Sequence, residues 1–174
     1  AGLESTHQIS RWLIHPHIDA IIAHKGIVSR LAERDLLHGR GVILHLNGMS
    51  NISAHPDNKE LLTDISIAKE MGVDAISVQV NFTGLNDARN LRLLGKIGDA
   101  AAREGFPLLT MVYDKVVGID AKTKIRRARQ LMRIAIELGC DALKIPLFAE
   151  NEMPAILDDM HEDVLIFVAG GDVT

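Results

Sequence analysis

A short echo inside the chain limits its fold more than any other feature. Glu70-Met71-Gly72-Val73-Asp74-Ala75 is matched 67 residues later by Glu137-Leu138-Gly139-Cys140-Asp141-Ala142. In each copy a helix-like stretch ends at a glycine suited to a C-cap, and an apolar run follows. Six such runs are present: Ala20-His24, Val42-Asn47, Ala75-Asn81, Leu108-Tyr113, Ala142-Pro146 and Leu165-Ala169. Their starts step by 22, 33, 33, 34 and 23 residues, so the echo is two steps of about 33. The runs are short, rich in β-branched residues and mostly continuous, which is how parallel strands covered on both faces read. Between them, Leu61 to Met71, Leu91 to Arg103 and Thr123 to Leu138 carry apolar residues at helical spacing.

Strand–helix alternation at this pitch predicts βαβ units with right-handed crossovers. No linker, low-complexity stretch or charge block divides residues 1–174, which predicts a single domain. An open doubly wound sheet and a (β/α)₈ barrel both fit this pattern. The open sheet in its dinucleotide-binding form needs a glycine-rich turn after the first strand, and the chain has no G-x-G-x-x-G and no G-x-x-x-x-G-K-[ST]. A barrel repeats its unit evenly, as here. The fold expected is therefore α/β, a (β/α)₈ TIM barrel truncated to about six βα units, because a whole barrel takes about 250 residues. On that expectation one strand is missing at each end.

Composition removes several function classes. At 47% hydrophobic over 174 residues the chain can bury a sizeable core. A formal net charge of −4 argues against a general nucleic-acid binder, which needs a concentrated basic face. No apolar run approaches the roughly 18 residues of a membrane span, and no signal peptide is recognisable. Cys140 is the single cysteine, so neither an internal disulfide nor a multi-cysteine zinc site is available. A cytoplasmic protein with no nucleic-acid or membrane partner is expected.

In either α/β fold the chemistry belongs at the C-terminal ends of the strands. The polar residues there are His24-Lys25, His45, Asn47, Gln79, Asn81, Tyr113-Asp114-Lys115, Lys144 and Gly170-Gly171. Lys144 lies in Ala142-Leu143-Lys144-Ile145-Pro146, apolar on both sides. A lysine there either pairs with a carboxylate, snorkels to the rim, or loses its proton and becomes a nucleophile able to form a Schiff base. Tyr113, the only tyrosine, is either a proton donor at a substrate oxygen or a core ring with its hydroxyl at the edge. Gly170-Gly171 is either a backbone phosphate site or a plain tight turn. His24 and His45 lie on successive strands and are the residues a metal-dependent lyase would use, but no H-x-x-x-H pair supports them.

Taken in order, Ile22-Ala23-His24-Lys25-Gly26-Ile27, His45-Leu46-Asn47-Gly48, Leu108-Leu109-Thr110-Met111-Val112-Tyr113, Leu143-Lys144 and Val168-Ala169-Gly170-Gly171 form a recognisable set. With it the chain resembles the archaeal-type class I fructose-bisphosphate aldolases and their relatives, the 2-amino-3,7-dideoxy-D-threo-hept-6-ulosonate synthases. The resemblance implies a (β/α)₈ barrel that assembles as a homo-oligomer. It implies Lys144 as the Schiff-base lysine, Tyr113 as the proton donor, and Gly170 and Gly171 in a phosphate site. It implies a small phosphorylated sugar as substrate, with no cofactor and no metal. Asn47, Asn81, Asp114 and Lys115 complete the candidate substrate-binding set. Fructose 1,6-bisphosphate is the substrate expected first, and transfer of a three-carbon unit to aspartate semialdehyde is the alternative. A non-catalytic sugar-phosphate-binding barrel is a further one. An aspartate base on the first barrel strand and a Gly-Arg phosphate contact on the last would fall outside residues 1–174. Family members often carry Pro-Arg after the tyrosine and Thr after the lysine, where this chain has Asp114-Lys115 and Ile145-Pro146.

Overall fold

In the computed structural model, which describes residues 5–157, 160, 162 and 164–170, each of the six apolar runs forms a strand. The first half of the chain runs α1 (Thr6–Leu13), β1 (Ala20–Ala23), α2 (Lys25–Ala32), β2 (Gly41–His45), β3 (Asn47–Gly48), β4 (Glu60–Leu61) and α3 (Ile65–Met71). The second half continues β5 (Ala75–Phe82), α4 (Asp87–Glu104), β6 (Leu108–Asp114), α5 (Ala121–Glu137), β7 (Ala142–Ile145), α6 (Met153–Leu157) and β8 (Leu165–Val168). Six strands make one parallel sheet in the order β1-β2-β5-β6-β7-β8, while β3 and β4 pair as a small antiparallel ribbon. The order never reverses, as expected for a barrel and not for a doubly wound sheet. The sheet is a curled half-barrel, and β1 and β8 are its two edges among the described residues.

The internal echo has a structural role. Gly72 and Gly139 sit at φ 61° and 92°, the left-handed region that stops α3 and α5. Two residues later the aspartate of each copy turns back onto the neighbouring strand. The Asp74 carboxylate accepts from the Val42 amide at 2.7 Å, and Asp141 accepts from the Leu108 amide at 2.8 Å. Each backbone donor at a strand entrance thus finds a charged acceptor, so the helix end and the sheet are locked in one register.

Strand alternation then sorts the side chains. Leu44, Ile76, Val78, Val80, Leu108, Leu143 and Ile145, all at most 1% exposed, face the helices. They share one core with Leu94, Ala101, Leu131 and Met132. Burying each of the larger side chains contributes about 1.5–3 kcal/mol. The opposite, concave face carries His45, Ser77, Gln79, Asn81, Tyr113 and Lys144. Register aligns Gln79 with Met111, Met111 with Lys144, and Lys144 with Phe167.

The helix read over Leu61 to Met71 begins later than expected, at Ile65. Asp64 is its N-cap and accepts from the Ser66 amide at 2.9 Å. Leu61 instead pairs with Asn47 in the β3–β4 ribbon, and the Leu62 and Thr63 amides both donate to the Leu46 carbonyl. Among the described residues no helix is long and apolar enough to cross a membrane.

Gly98 marks where α4 and the end of α5 touch. A Cβ there would stand 2.1 Å from the Leu138 carbonyl oxygen, a backbone atom that cannot swing aside. Alanine gains about 0.5–1 kcal/mol of helix propensity over glycine, but overpacking against backbone costs about 3 kcal/mol. Gly98→Ala is therefore expected to destabilise the fold by about 2 kcal/mol, read as a lower urea midpoint at an unchanged slope.

Candidate active site

Lys144 owes its position to its neighbours. Leu143 and Ile145 are buried against the helix layer, so alternation turns the lysine onto the concave face, where it is half-buried. Among the described residues no carboxylate forms an ion pair with it. Tyr113 lies on the same face one strand over, two residues beyond Met111, the register partner of Lys144. It too is half-buried, and that burial raises its hydroxyl pKa, so the phenol holds its proton at neutral pH. Lys115 is exposed and stands with its Nζ 5.5 Å from the centre of the Tyr113 ring.

Across the concave face, at the ends of β1 and β2, lies a cavity of about 580 Å³ bordered by His24, His45, Ser50, Lys59, Glu60 and Gln79. Lys144 and Tyr113 are not on its wall, but Gln79 joins their row of the sheet to it. The rings of His24 and His45 stand 5.0 Å apart, tilted by 60°. His24 Nδ1 meets the His45 carbonyl at 3.0 Å, which must accept, so that nitrogen carries the proton. His45 Nδ1 meets Ser77 Oγ at 2.9 Å. Burial and the nearby charges of His24, Lys59 and Lys144 lower the His45 pKa to about 4. Lys144 thus faces the same interior as the histidine pair. Among the described residues no three His, Cys, Asp or Glu side chains gather to hold a metal ion.

The low pKa of His45 has a signed consequence. Its unfolded value is near 6.5, so the neutral ring contributes stability above about pH 6.5 that is lost as the pH falls toward 4. The full loss is about 3 kcal/mol. Comparing urea midpoints of wild type and His45→Gln from pH 7 to 4 checks this, with the variant expected to lose stability less steeply.

The two asparagines are spoken for by the fold. Asn47 is fully buried, and its amide spans to β5, donating to the Gln79 carbonyl and accepting from the Gln79 amide, both at 2.8 Å. Asn81 donates to Asp57 at 2.7 Å and accepts from the Gln79 side chain at 2.8 Å. They shape the floor between the lysine and the histidine pair. Gln79 was among the strand-end polar residues of the sequence, but Asp57 and Lys59 carried no signal. They lie in the loop that β3 and β4 fold back over the strand ends.

Asp114 does not join the concave face as expected. Tyr113 points inward, so its neighbour points outward. There the carboxylate receives Arg127 of α5 in a two-pronged pair, Nε at 2.6 Å and a terminal nitrogen at 3.0 Å. Asp114 therefore ties β6 to α5. Gly170 follows β8 and is exposed, with open space where a Cβ would stand. Gly171 lies outside the described residues.

Among the described residues, the curled parallel sheet thus turns Lys144 and Tyr113 toward one interior, a strand apart. The chain belongs to the DeoC/LacD family of aldolases, whose model matches residues 2–173. It is 33% identical over 162 residues to 2-amino-3,7-dideoxy-D-threo-hept-6-ulosonate synthase 1 of Archaeoglobus fulgidus, covering 91% of this chain and 58% of the synthase. Over 128 residues it is 27% identical to 2-amino-4,5-dihydroxy-6-oxo-7-(phosphonooxy)heptanoate synthase of Streptomyces griseus, covering 74% of this chain and 46% of that protein. The chain thus spans about half the length of these curated relatives. Its fold is similar to that of an archaeal fructose 1,6-bisphosphate aldolase, with a TM-score of 0.82 at 20% identity over 97% of this chain and 65% of the other. A second such structure has its catalytic lysine covalently bound to the carbinolamine intermediate of the substrate.

Proposed function

We propose that this chain carries the reacting half of a class I aldolase acting on a phosphorylated ketose, with Lys144 as the Schiff-base lysine. The observation that carries the reading is the Lys144 amine on the concave face, without an ion-pair partner among the described residues and one strand from Tyr113. The neutral amine adds to the ketose carbonyl, and the carbinolamine loses water to give an iminium. The hydroxyl next to the scissile bond gives up its proton as the C–C bond breaks. The bonding electrons move into the iminium, leaving an enamine on Lys144 and releasing an aldehyde. Protonation of the enamine and hydrolysis free the second product. In the condensation direction Tyr113 donates its proton to the aldehyde oxygen, a role supported by a phenol that burial keeps protonated, and cleavage runs the same transfer in reverse. The Gly170-Gly171 backbone holds the phosphate, and that remote binding energy positions the carbonyl.

Fructose 1,6-bisphosphate is the first substrate, in keeping with the fold likeness at a TM-score of 0.82. A second reading, transfer of a three-carbon unit to an amino-acid semialdehyde, is favoured by the 33% identity to the archaeal synthase. Product analysis of the full-length protein separates them. Triose phosphates formed from fructose 1,6-bisphosphate alone support the first. A new seven-carbon product that appears only with aspartate semialdehyde supports the second. The same reading has the protein as a homo-oligomer, for which light scattering is the test.

A further inference from the structure

The cavity over β1 and β2 gathers Lys59, His24 and His45 beside one acid, Glu60. Lys59 is half-buried on its wall, and among the described residues no carboxylate forms an ion pair with it. Its neighbour Glu60, the acid on the same wall, is paired with Arg89. His24 has its Nδ1 proton committed to the His45 carbonyl, which leaves Nε2 as its free nitrogen, beside Gly48. A Cβ on Gly48 would lie 3.6 Å from that nitrogen and 3.1 Å from Leu62, so glycine keeps this corner open. Lys25 reaches the same rim and donates to the Leu62 carbonyl at 3.3 Å. A half-buried cation without a counter-charge in an open cavity is a standing site for an anion, because the ligand supplies the missing charge.

We propose that Lys59 and His24 form a second anion subsite, which binds the phosphate or carboxylate of the aldehyde that leaves or joins at the scissile bond. It rests on the Schiff-base reading of Lys144. In sheet order the subsite lies on one side of Lys144 and Gly170 on the other, so a substrate charged at both ends would straddle the lysine. Lys59 and His24 are specificity residues, since neither touches the bond that breaks.

Two measurements on the full-length protein test this. In the first, Lys59→Met and His24→Gln are assayed in the condensation direction with dihydroxyacetone phosphate as donor. A charge-assisted hydrogen bond lost at the acceptor raises KM for an anionic aldehyde about 10–100-fold. The value for uncharged glyceraldehyde is expected to stay within about twofold of wild type, as is borohydride trapping of the donor on Lys144. Loss with glyceraldehyde 3-phosphate marks the anion as a phosphate, and loss with aspartate semialdehyde marks it as a carboxylate. Equal losses with charged and uncharged aldehydes, or none, would overturn the proposal. Absence of any donor adduct in the wild type would instead remove the Schiff-base reading. The second measurement needs no turnover. Inorganic phosphate is titrated while the histidine ring protons are followed by NMR. Phosphate at the subsite is expected to raise the pKa of His45 in the wild type and to move it far less in Lys59→Met. Ring signals of His24 and His45 that do not respond to phosphate would overturn the subsite whatever the catalytic result.

Discussion

Lys144→Met is expected to abolish turnover and the borohydride-trapped adduct together, while the fold survives. The amine is the only atom group in the proposed mechanism that bonds to substrate, so no neighbouring residue can replace it. Methionine matches the length of the lysine stem and fills the same half-buried place, so stability is expected to hold. Peptide mapping after reduction with substrate should place the added mass on residue 144 of the wild type. Lys25 and Lys115 are the nearest competitors at strand ends. Lys25 donates to the Leu62 carbonyl, and Lys115 is exposed at the loop beyond Tyr113. An adduct on either one would move the site. EDTA is expected to leave adduct and turnover intact, and a loss of turnover with EDTA but no adduct would replace the Schiff base with metal chemistry.

Tyr113→Phe is expected to lower kcat by about 10²–10⁴-fold while leaving the Lys144 adduct trappable. Removing one hydroxyl keeps the ring, its packing and the carbonyl-facing lysine. What disappears is the proton carrier at the reacting oxygen. Burial raises the tyrosine pKa, so the group acts as an acid near neutrality, and the wild-type condensation rate should fall at high pH as the phenol ionises. A variant with normal kcat would leave Tyr113 as a packing residue. A variant with neither adduct nor activity would mean that the hydroxyl is needed earlier, during iminium formation.

The order of these effects follows from which contacts are covalent. Lys144 forms a bond, Tyr113 moves a proton, and Lys59 contributes only attraction to a charged tail.

Much of this was readable along the chain because the signals are periodic and local. A pitch near 33 residues, a glycine inside each echo and apolar runs of strand length reproduce in the sheet order β1-β2-β5-β6-β7-β8. Lys144 and Tyr113 were legible because a polar residue inside or at the end of an apolar run stands out against its neighbours. Which face each residue takes depends on alternation within its strand, and that requires the register. Asp114 shows the difference. In sequence it stands beside Tyr113 and looks like part of the same site, yet a period of two sends it to α5 and Arg127. Asn47 and Asn81 show another. As residue types they suit sugar hydroxyls, but their amides close hydrogen bonds to Gln79 and Asp57 across 32 and 24 residues. Lys59 and His24 meet only because the β3–β4 ribbon folds a loop over the strand ends, a contact between segments that share no pattern. Local preference and burial periodicity set the elements and their order. The tertiary structure alone decided which charged groups share a cavity, because long-range electrostatic neighbours are created by folding and leave no period in the chain.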